Sequence, residues 1–226
     1  MKVYKLTNPY GLTRVGEDNE TGWGEGVRHE ATGKETKICS DGVIHWYDSL
    51  EIACFMNQIH ANIYFPICWE CEAGTTRDHV GTQGGSRWLR TLKQVPLLHF
   101  TSEQSVEIAI RTVLEECETY DVWLDWAKKW LSGEDRSIFS ASRVLNYADK
   151  VYAHHTSPHK VYAVYATDSA LWMLKSESGV LYTAENSSIQ AAASIQAAAE
   201  KSTATTIRAK RAFAKRLTKR IREVLR

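Results

Sequence analysis

The spacing of apolar residues changes near Pro96, and that change confines the chain to a fold of two unlike halves. Up to about Gln94, short aromatic and β-branched runs are punctuated by Gly and Asn; beyond Pro96, apolar residues recur at intervals of three and four. The first habit suits strands and turns, the second suits helices. The chain is therefore expected to be α+β, with a small α+β domain over residues 1–95 and a repeat-like, all-α helical domain over 96–178. An Ala-rich and then basic amphipathic C-terminal segment over 179–226 should follow, in one long helix or in two with a break near Ser202. In the first half, strands are expected at Val3–Leu6, Ile38–Ser40, Gly42–Tyr47 and Tyr64–Ala73. Between them DSLEIACFMNQIHA predicts a helix, capped by Asp48 or Ser49, with Ile52, Phe55, Met56 and Ile59 spaced for one face. NPYG, GWGEG and GTQGG carry turn or loop chemistry.

In the second half, SEQSVEIAIRTVLEEC places Val106, Ile110, Val113 and Leu114 on one helical face, with a cap region at Ser102 to Ser105. Trp123, Trp126 and Trp130 in DVWLDWAKKWLSG follow at i, i+3 and i+7. Such an indole stripe is expected to be core, and Gly133 is suited to end its helix. Ile138, Ala141, Leu145, Ala148 and Tyr152 continue at helical spacing until HHTSPH, and Ser157-Pro158 is a restart signal before KVYAVYATDSALWML. SESG at Ser176 to Gly179 closes that run.

The stretch SIQAAASIQAAAE repeats one hexapeptide twice. Six residues turn a helix through about 600°, so Ile189 and Ile195 diverge by about 120° and cannot share a stripe. What persists on several sides is alanine, which lets neighbouring helices approach closely. A β-solenoid is excluded, since two copies do not complete a coil and Ala is a poor strand former.

Charge is divided along the chain. Residues 207–226 hold nine basic side chains and one acid, a balance of +8 that leaves −7 on the first 206 residues of a chain whose total is +1. Ile207, Ala214 and Ile221 share one heptad position and Leu217 and Val224 another, so the tail is a basic amphipathic helix that Thr205 or Thr206 could cap. It could dock on its own body or meet an acidic partner, a nucleic acid or an anionic membrane. With 43% apolar residues, eight Trp and ten Tyr, the chain has material for a real core. It has no uninterrupted apolar run of roughly 18 residues, so no membrane span is expected. MKVYKLTNPYG does not read as a signal peptide, and the five cysteines are an odd number, which favours a cytoplasmic location.

Chemical motifs are sparse. CWEC at Cys68 to Cys71 lies in a predicted strand, where i and i+3 face opposite sides, so buried thiols are expected rather than a metal site. Glu70 and Glu72 share the other face from Trp69 and Cys71. His154, His155 and His159 have no acidic or thiolate company nearby and read as a polar turn. No GxxxxGK[ST], HExxH or GxSxG is present, and GTQGGS is weak as a phosphate loop. No metal and no cofactor is expected from the residues.

Two stretches, CSDGVIHWYDSLEIACFMNQIHANIYFPICWECEA and WLDWAKKWLSGEDRS, together resemble uncharacterised phage and prophage proteins that join a small N-terminal α+β domain to an Ala-rich helical tail. The helical half is also similar to a bacterial immunity protein family with WA…W, WLxGxDRS-like and repeated AA motifs. These resemblances imply a non-enzymatic protein that occupies another macromolecule, in the manner of an immunity or anti-defence inhibitor, in the cytoplasm of a host cell. A host or phage protein is the expected partner, and self-association would cover an Ala-rich surface. The contact residues would be Arg208, Lys210, Arg211, Lys215, Arg216, Lys219, Arg220 and Arg222. The same cations would give non-specific nucleic-acid binding as one alternative. The other follows from VYKLT, GVIHWY with its SLEIA helix, and the Glu70/Glu72 strand, whose order is similar to ADP-ribosyltransferase-like folds. That similarity implies NAD as cofactor, His45 or Tyr47 against its nicotinamide, and Glu70 or Glu72 stabilising an oxocarbenium-like transition state.

Overall fold

In the computed structural model the described residues are 1–116, 121–152, 161–177, 183–202 and 206–226. VYKLT forms the centre of β1 (Lys2–Thr7), which buries Val3, Leu6 and Thr7. Its neighbour is β6 (Ile67–Ala73), antiparallel, with Val3 opposite Cys71 and Tyr4 opposite Glu70. On its other edge β6 pairs with β9 (Trp88–Val95), which in turn pairs with the short β4 (Arg28–Glu30), giving a four-stranded sheet in the order β1-β6-β9-β4. A second sheet has the order β5-β8-β7, from Ile44–Trp46, Gly84–Ser86 and Thr76–His79. β2 (Leu12–Thr13) and β3 (Thr21–Gly22) form a small ribbon. One residue pair joins the two larger sheets: Tyr4 and Tyr47 exchange backbone hydrogen bonds of 2.9 and 2.8 Å.

The chain is α+β, strand-rich at its N-terminal side and helical beyond, as the two patterns of spacing imply. It divides into two compact units. The first is Met1–His99 with residues up to Lys219 of the last helix; the second is Phe100–Ser202 with Arg220–Arg226. The Ala-rich segment thus lies in the helical unit, and the basic helix is divided between both.

Within the first unit, Val3, Trp23, Trp46, Trp69, Cys71, Ala73 and Leu89 form one buried cluster. Helix α1 (Leu50–His60) has Ser49 as its N-cap, the hydroxyl accepting from Ile52 N at 3.2 Å, and it buries Ile52, Ala53, Phe55 and Met56. Two local expectations need correcting. Ile38–Ser40 is a turn, not a strand, with Cys39 at φ +68° and its N–H donated to His45. GTQGG is not simply a loop, because its last two glycines open β8, the central strand of the second sheet. Their role is steric: a Cβ at Gly84 would run into the Trp46 indole, and one at Gly85 would press on Ile38 and Val43 at 3.1 Å.

In the second unit, α2 (Ser102–Glu116) is capped by Thr101, one residue before the expected region. Thr101 Oγ1 accepts from Gln104 N at 3.1 Å and Gln104 Oε1 accepts from Thr101 N at 2.9 Å. This is a capping box with Thr and Gln in its two places. The indole stripe of α3 (Asp121–Ser132) is core: Trp123, Trp126 and Trp130 are buried, and Trp123 Nε1 donates to Ala163 O and Thr167 Oγ1. Gly133, at φ +77°, ends that helix. α4 (Ile138–Tyr152), α5 (Val161–Glu177) and α6 (Thr183–Ser202) follow, with α6 packed on α5 and α2. The hexapeptide behaves as its geometry requires: Ile195 is fully buried, Ile189 is not, and Ala191, Ala192, Ala198 and Ala199 are all in the core. Ser157-Pro158, the histidines at 154, 155 and 159, and Cys117 lie outside the described residues, as does Gly179.

Gly84→Ala should lower stability by about 1–3 kcal/mol, the usual cost of forcing atoms into a filled core. Gly22→Ala, whose Cβ would meet Leu12 at an ordinary 3.8 Å, should change it much less. Urea denaturation of both variants checks the contrast.

Candidate functional site

Alternation along β1 puts Val3 and Lys5 on one face, so the strand that buries Val3 also turns a lysine inward. Lys5 Nζ donates to His45 O at 3.3 Å and lies 4.8 Å from the centre of the Trp23 ring. Burial, and to a lesser degree the Arg14 charge, pushes its pKa down to about 8. Arg14 stands in the β2–β3 loop at φ +56° and donates to the Asn19 side-chain oxygen, with that amide turned to face it. Among the described residues neither cation has a carboxylate partner.

Two cavities share Lys5, Thr13, Arg14 and His45 as a common wall. One, of about 300 Å³, extends past Trp23 and His29 and also carries Glu20, Glu30 and Asp41, so its charges nearly cancel. The other, of about 410 Å³, is bounded by Asn8, Tyr47, His60, Ile63 and Gln83 and carries a single carboxylate, Glu17. His45 registers the local field. Desolvation first, then the Lys5 and Arg14 charges, pushes its pKa down to about 4. Its Nε2 accepts from Cys39 N at 2.9 Å, which leaves the ring proton on Nδ1; the Gln83 amide nitrogen 3.3 Å from Nδ1 is itself a donor and does not accept that proton. Tyr47 is buried and stacked on His60 with an 11° angle between the rings, and burial raises its phenol pKa.

The four residues of the ADP-ribosyltransferase-like reading do not assemble. His45 and Tyr47 line the second cavity, but His45 Nε2 is taken by the Cys39 N–H. Glu70 and Glu72 line neither cavity. Glu70 pairs with Lys2 at 2.8 Å, a bond that holds its pKa below the usual carboxylate value, and Glu72 is exposed on the same strand. The cysteines of CWEC are both buried. Cys71 sits in the indole cluster and Cys68 is across the sheet towards Cys54, and burial raises both thiols, Cys71 to about 12. Such thiols are inert at neutral pH. No cluster of three metal-ligating side chains occurs among the described residues.

The contact residues expected on α7 (Ile207–Val224) divide into two sets. Thr206 caps this helix, its hydroxyl accepting from Ala209 N at 3.3 Å. Phe213, Ala214, Leu217 and Ile221 are buried, so the apolar stripe is satisfied within the chain. Arg220 is removed from the outward set: it is 2% exposed, donates to Thr112 Oγ1 at 3.1 Å and pairs with Glu115 and Glu116. Arg211 is drawn partly inward, with Nε 3.3 Å from Asp48 Oδ1. Lys210 is half-buried, while Arg208, Lys215, Arg216, Lys219 and Arg222 are exposed.

Asp48 carries more than Arg211. Its Oδ2 is 2.5 Å from Nε2 of the fully buried His79, whose Nδ1 accepts from Gly81 N at 2.9 Å. The backbone N–H therefore fixes the tautomer, and Nε2–H is donated to Asp48. Thr218 Oγ1 donates to Ser49 Oγ at 2.9 Å one residue further on. Arg14 and His79 belong to no motif, and Asn8 in NPYG and Lys5 in VYKLT carry no functional signature of their own. Lys5 alone had a legible signal, a cation at an inward position of an alternating strand.

No protein-family model, no curated protein and no solved structure matches this chain. Among the described residues, no helix is long and apolar enough to cross a membrane.

Two outcomes follow from these environments. Asp48→Ala should cost about 2–4 kcal/mol, because it orphans a buried imidazole N–H and a guanidinium. Arg211→Met should cost about 1 kcal/mol or less, its pair being partly solvated; urea denaturation separates the two. For Lys5, the unfolded chain holds a proton that the folded chain has lost between pH 8 and the ordinary 10.5, so this residue makes stability rise with pH across that window. The raised Tyr47 and Cys71 act in the opposite sense at high pH. The stability of wild type minus that of Lys5→Met, measured on one pH series, should therefore increase as pH rises from 8 to 10.

Proposed function

We propose that this chain is a non-enzymatic binding protein that acts by occupying an acidic protein partner, in the manner of a phage-encoded inhibitor or an immunity protein. One observation supports this reading above others: α7 buries its apolar stripe within the chain while Arg208, Lys215, Arg216 and Lys219 remain exposed. A basic amphipathic helix that kept its apolar side exposed would be a candidate for a membrane surface or for a partner helix. Here the outward side is cationic, which favours an electrostatic contact with fast, salt-sensitive association. The likeness of WLDWAKKWLSGEDRS to immunity proteins points the same way, as does the separation of Glu70 and Glu72 from the His45 cavity.

The test is affinity capture with the full chain and with the charge-reversal variant Arg208→Glu/Lys215→Glu, from lysates treated with nuclease. A stoichiometric protein partner should be retained by the parent chain, lost on raising salt, and lost by the variant. Capture that disappears with nuclease would instead assign the face to nucleic acid, and capture unaffected by the variant would overturn the role given to α7.

A further inference from the structure

The 410 Å³ cavity of the N-terminal unit has no part in that protein contact, yet its construction is unusual for a merely structural space. Lys5 and Arg14 bring two positive charges to one wall, and among the described residues no carboxylate pairs with either. Glu17, the single acid on the lining, accepts from the turned Asn19 amide at 3.3 Å. Asn8 spends its side-chain oxygen on the N–H groups of Tyr10 and Leu12 at 2.9 and 2.8 Å, which leaves its amide N–H groups for another acceptor. Lys5 is partly desolvated without a counter-charge, which costs folding energy that an anion would recover, and the exposed Arg14 adds a second positive charge at the rim.

A second observation concerns the loops around this cavity. Two of the segments that line it carry aromatic side chains in solvent next in sequence to lining residues: Tyr10, 86% exposed, between Asn8 and Leu12, and Tyr64 and Phe65, 70% and 85% exposed, directly after Ile63. Phe65 also holds φ +50°, a conformation that a bulky residue adopts at a cost, and such strain is concentrated at ligand clamps. Aromatic side chains left in water beside a cationic hollow fit a ligand with a charged head and a flat body.

We propose that this cavity binds a soluble phosphate monoester carrying an aromatic group, with Lys5 and Arg14 on the phosphate and the Tyr10, Tyr64 and Phe65 loops against the ring. A doubly charged phosphate matches two cations, and the Arg14 fork and Lys5 point charge complement one another on its oxygens. Leu6, Leu12 and Ile63 supply the apolar part of the lining.

Titration calorimetry of the full chain with phenyl phosphate, inorganic phosphate and benzoate tests the assignment. Phenyl phosphate should bind saturably, inorganic phosphate more weakly, and benzoate, with one charge, more weakly than phenyl phosphate. Arg14→Asn, which retains a residue suited to positive φ at an exposed position, should weaken phenyl phosphate by about tenfold or more, the value of one charge-assisted contact. Lys5→Met should do the same, and Tyr64→Ala/Phe65→Ala should reduce the advantage of phenyl phosphate over inorganic phosphate. Lys93→Met, on β9 away from the lining, should change nothing. Absence of saturable phenyl phosphate binding at millimolar concentration, or full affinity in Arg14→Asn, overturns the proposal. So does binding to phosphatidic acid vesicles without binding to phenyl phosphate, which would make the site one for a lipid head group.

Discussion

The carboxylate of Asp48 is the constraint on which the first unit turns. It follows β5 and precedes the N-cap of α1, and it receives a proton donor from a histidine with no solvent contact and a guanidinium from the C-terminal helix. A buried imidazole N–H without an acceptor is costly, and so is a partly buried carboxylate without donors; each removes the other's penalty. Because His79 lies at the end of β7 and Arg211 on α7, one short polar chain ties a sheet, a helix start and residues 163 positions away in sequence. Thr218 on Ser49 adds a neutral bond at the same helix start.

The basic helix is consequently two things at once. Arg220 and, in part, Arg211 serve the interior, where their charges are matched by Glu115, Glu116 and Asp48. Arg208, Lys215, Arg216 and Lys219 stay in water. A count of nine cations in the last twenty residues cannot make this distinction, since it follows from the side of the helix each residue occupies and from what that side meets. The proposed partner contact belongs to the outward set, and the proposed ligand site to a cavity where a half-buried Lys5 and an exposed Arg14 have no carboxylate pair among the described residues.

Much of the architecture was legible because periodicity is a local property. The Trp123, Trp126 and Trp130 stripe, the cap at Ser49, the stop at Gly133 and the divergent orientations of Ile189 and Ile195 each follow from a few neighbouring residues and the pitch of a helix. The errors arose where a distant partner decides. Ile38–Ser40 has β-branched and apolar character, yet the turn is held by the His45 ring. Gly84 and Gly85 look like loop residues, yet they form a central strand because Trp46 and Val43 need the space a side chain would fill. Of the candidate cavity, His45 and Tyr47 were named from the sequence and Lys5 had a legible signal, but Arg14, Asn8 and Gln83 come from separate segments that no motif unites.

By itself, then, the sequence determined the α+β division, the helical faces, the buried character of the CWEC thiols and the separation of charge along the chain. All of these depend on residue type and spacing over a turn or two. Tertiary structure alone decided which cations face inward, that Asp48 joins His79 to Arg211, and that Lys5 and Arg14 share a cavity wall without a carboxylate paired directly to either among the described residues. Those facts depend on which groups from distant segments are brought within a few ångströms of one another, where desolvation makes a charge costly and a single hydrogen bond decisive.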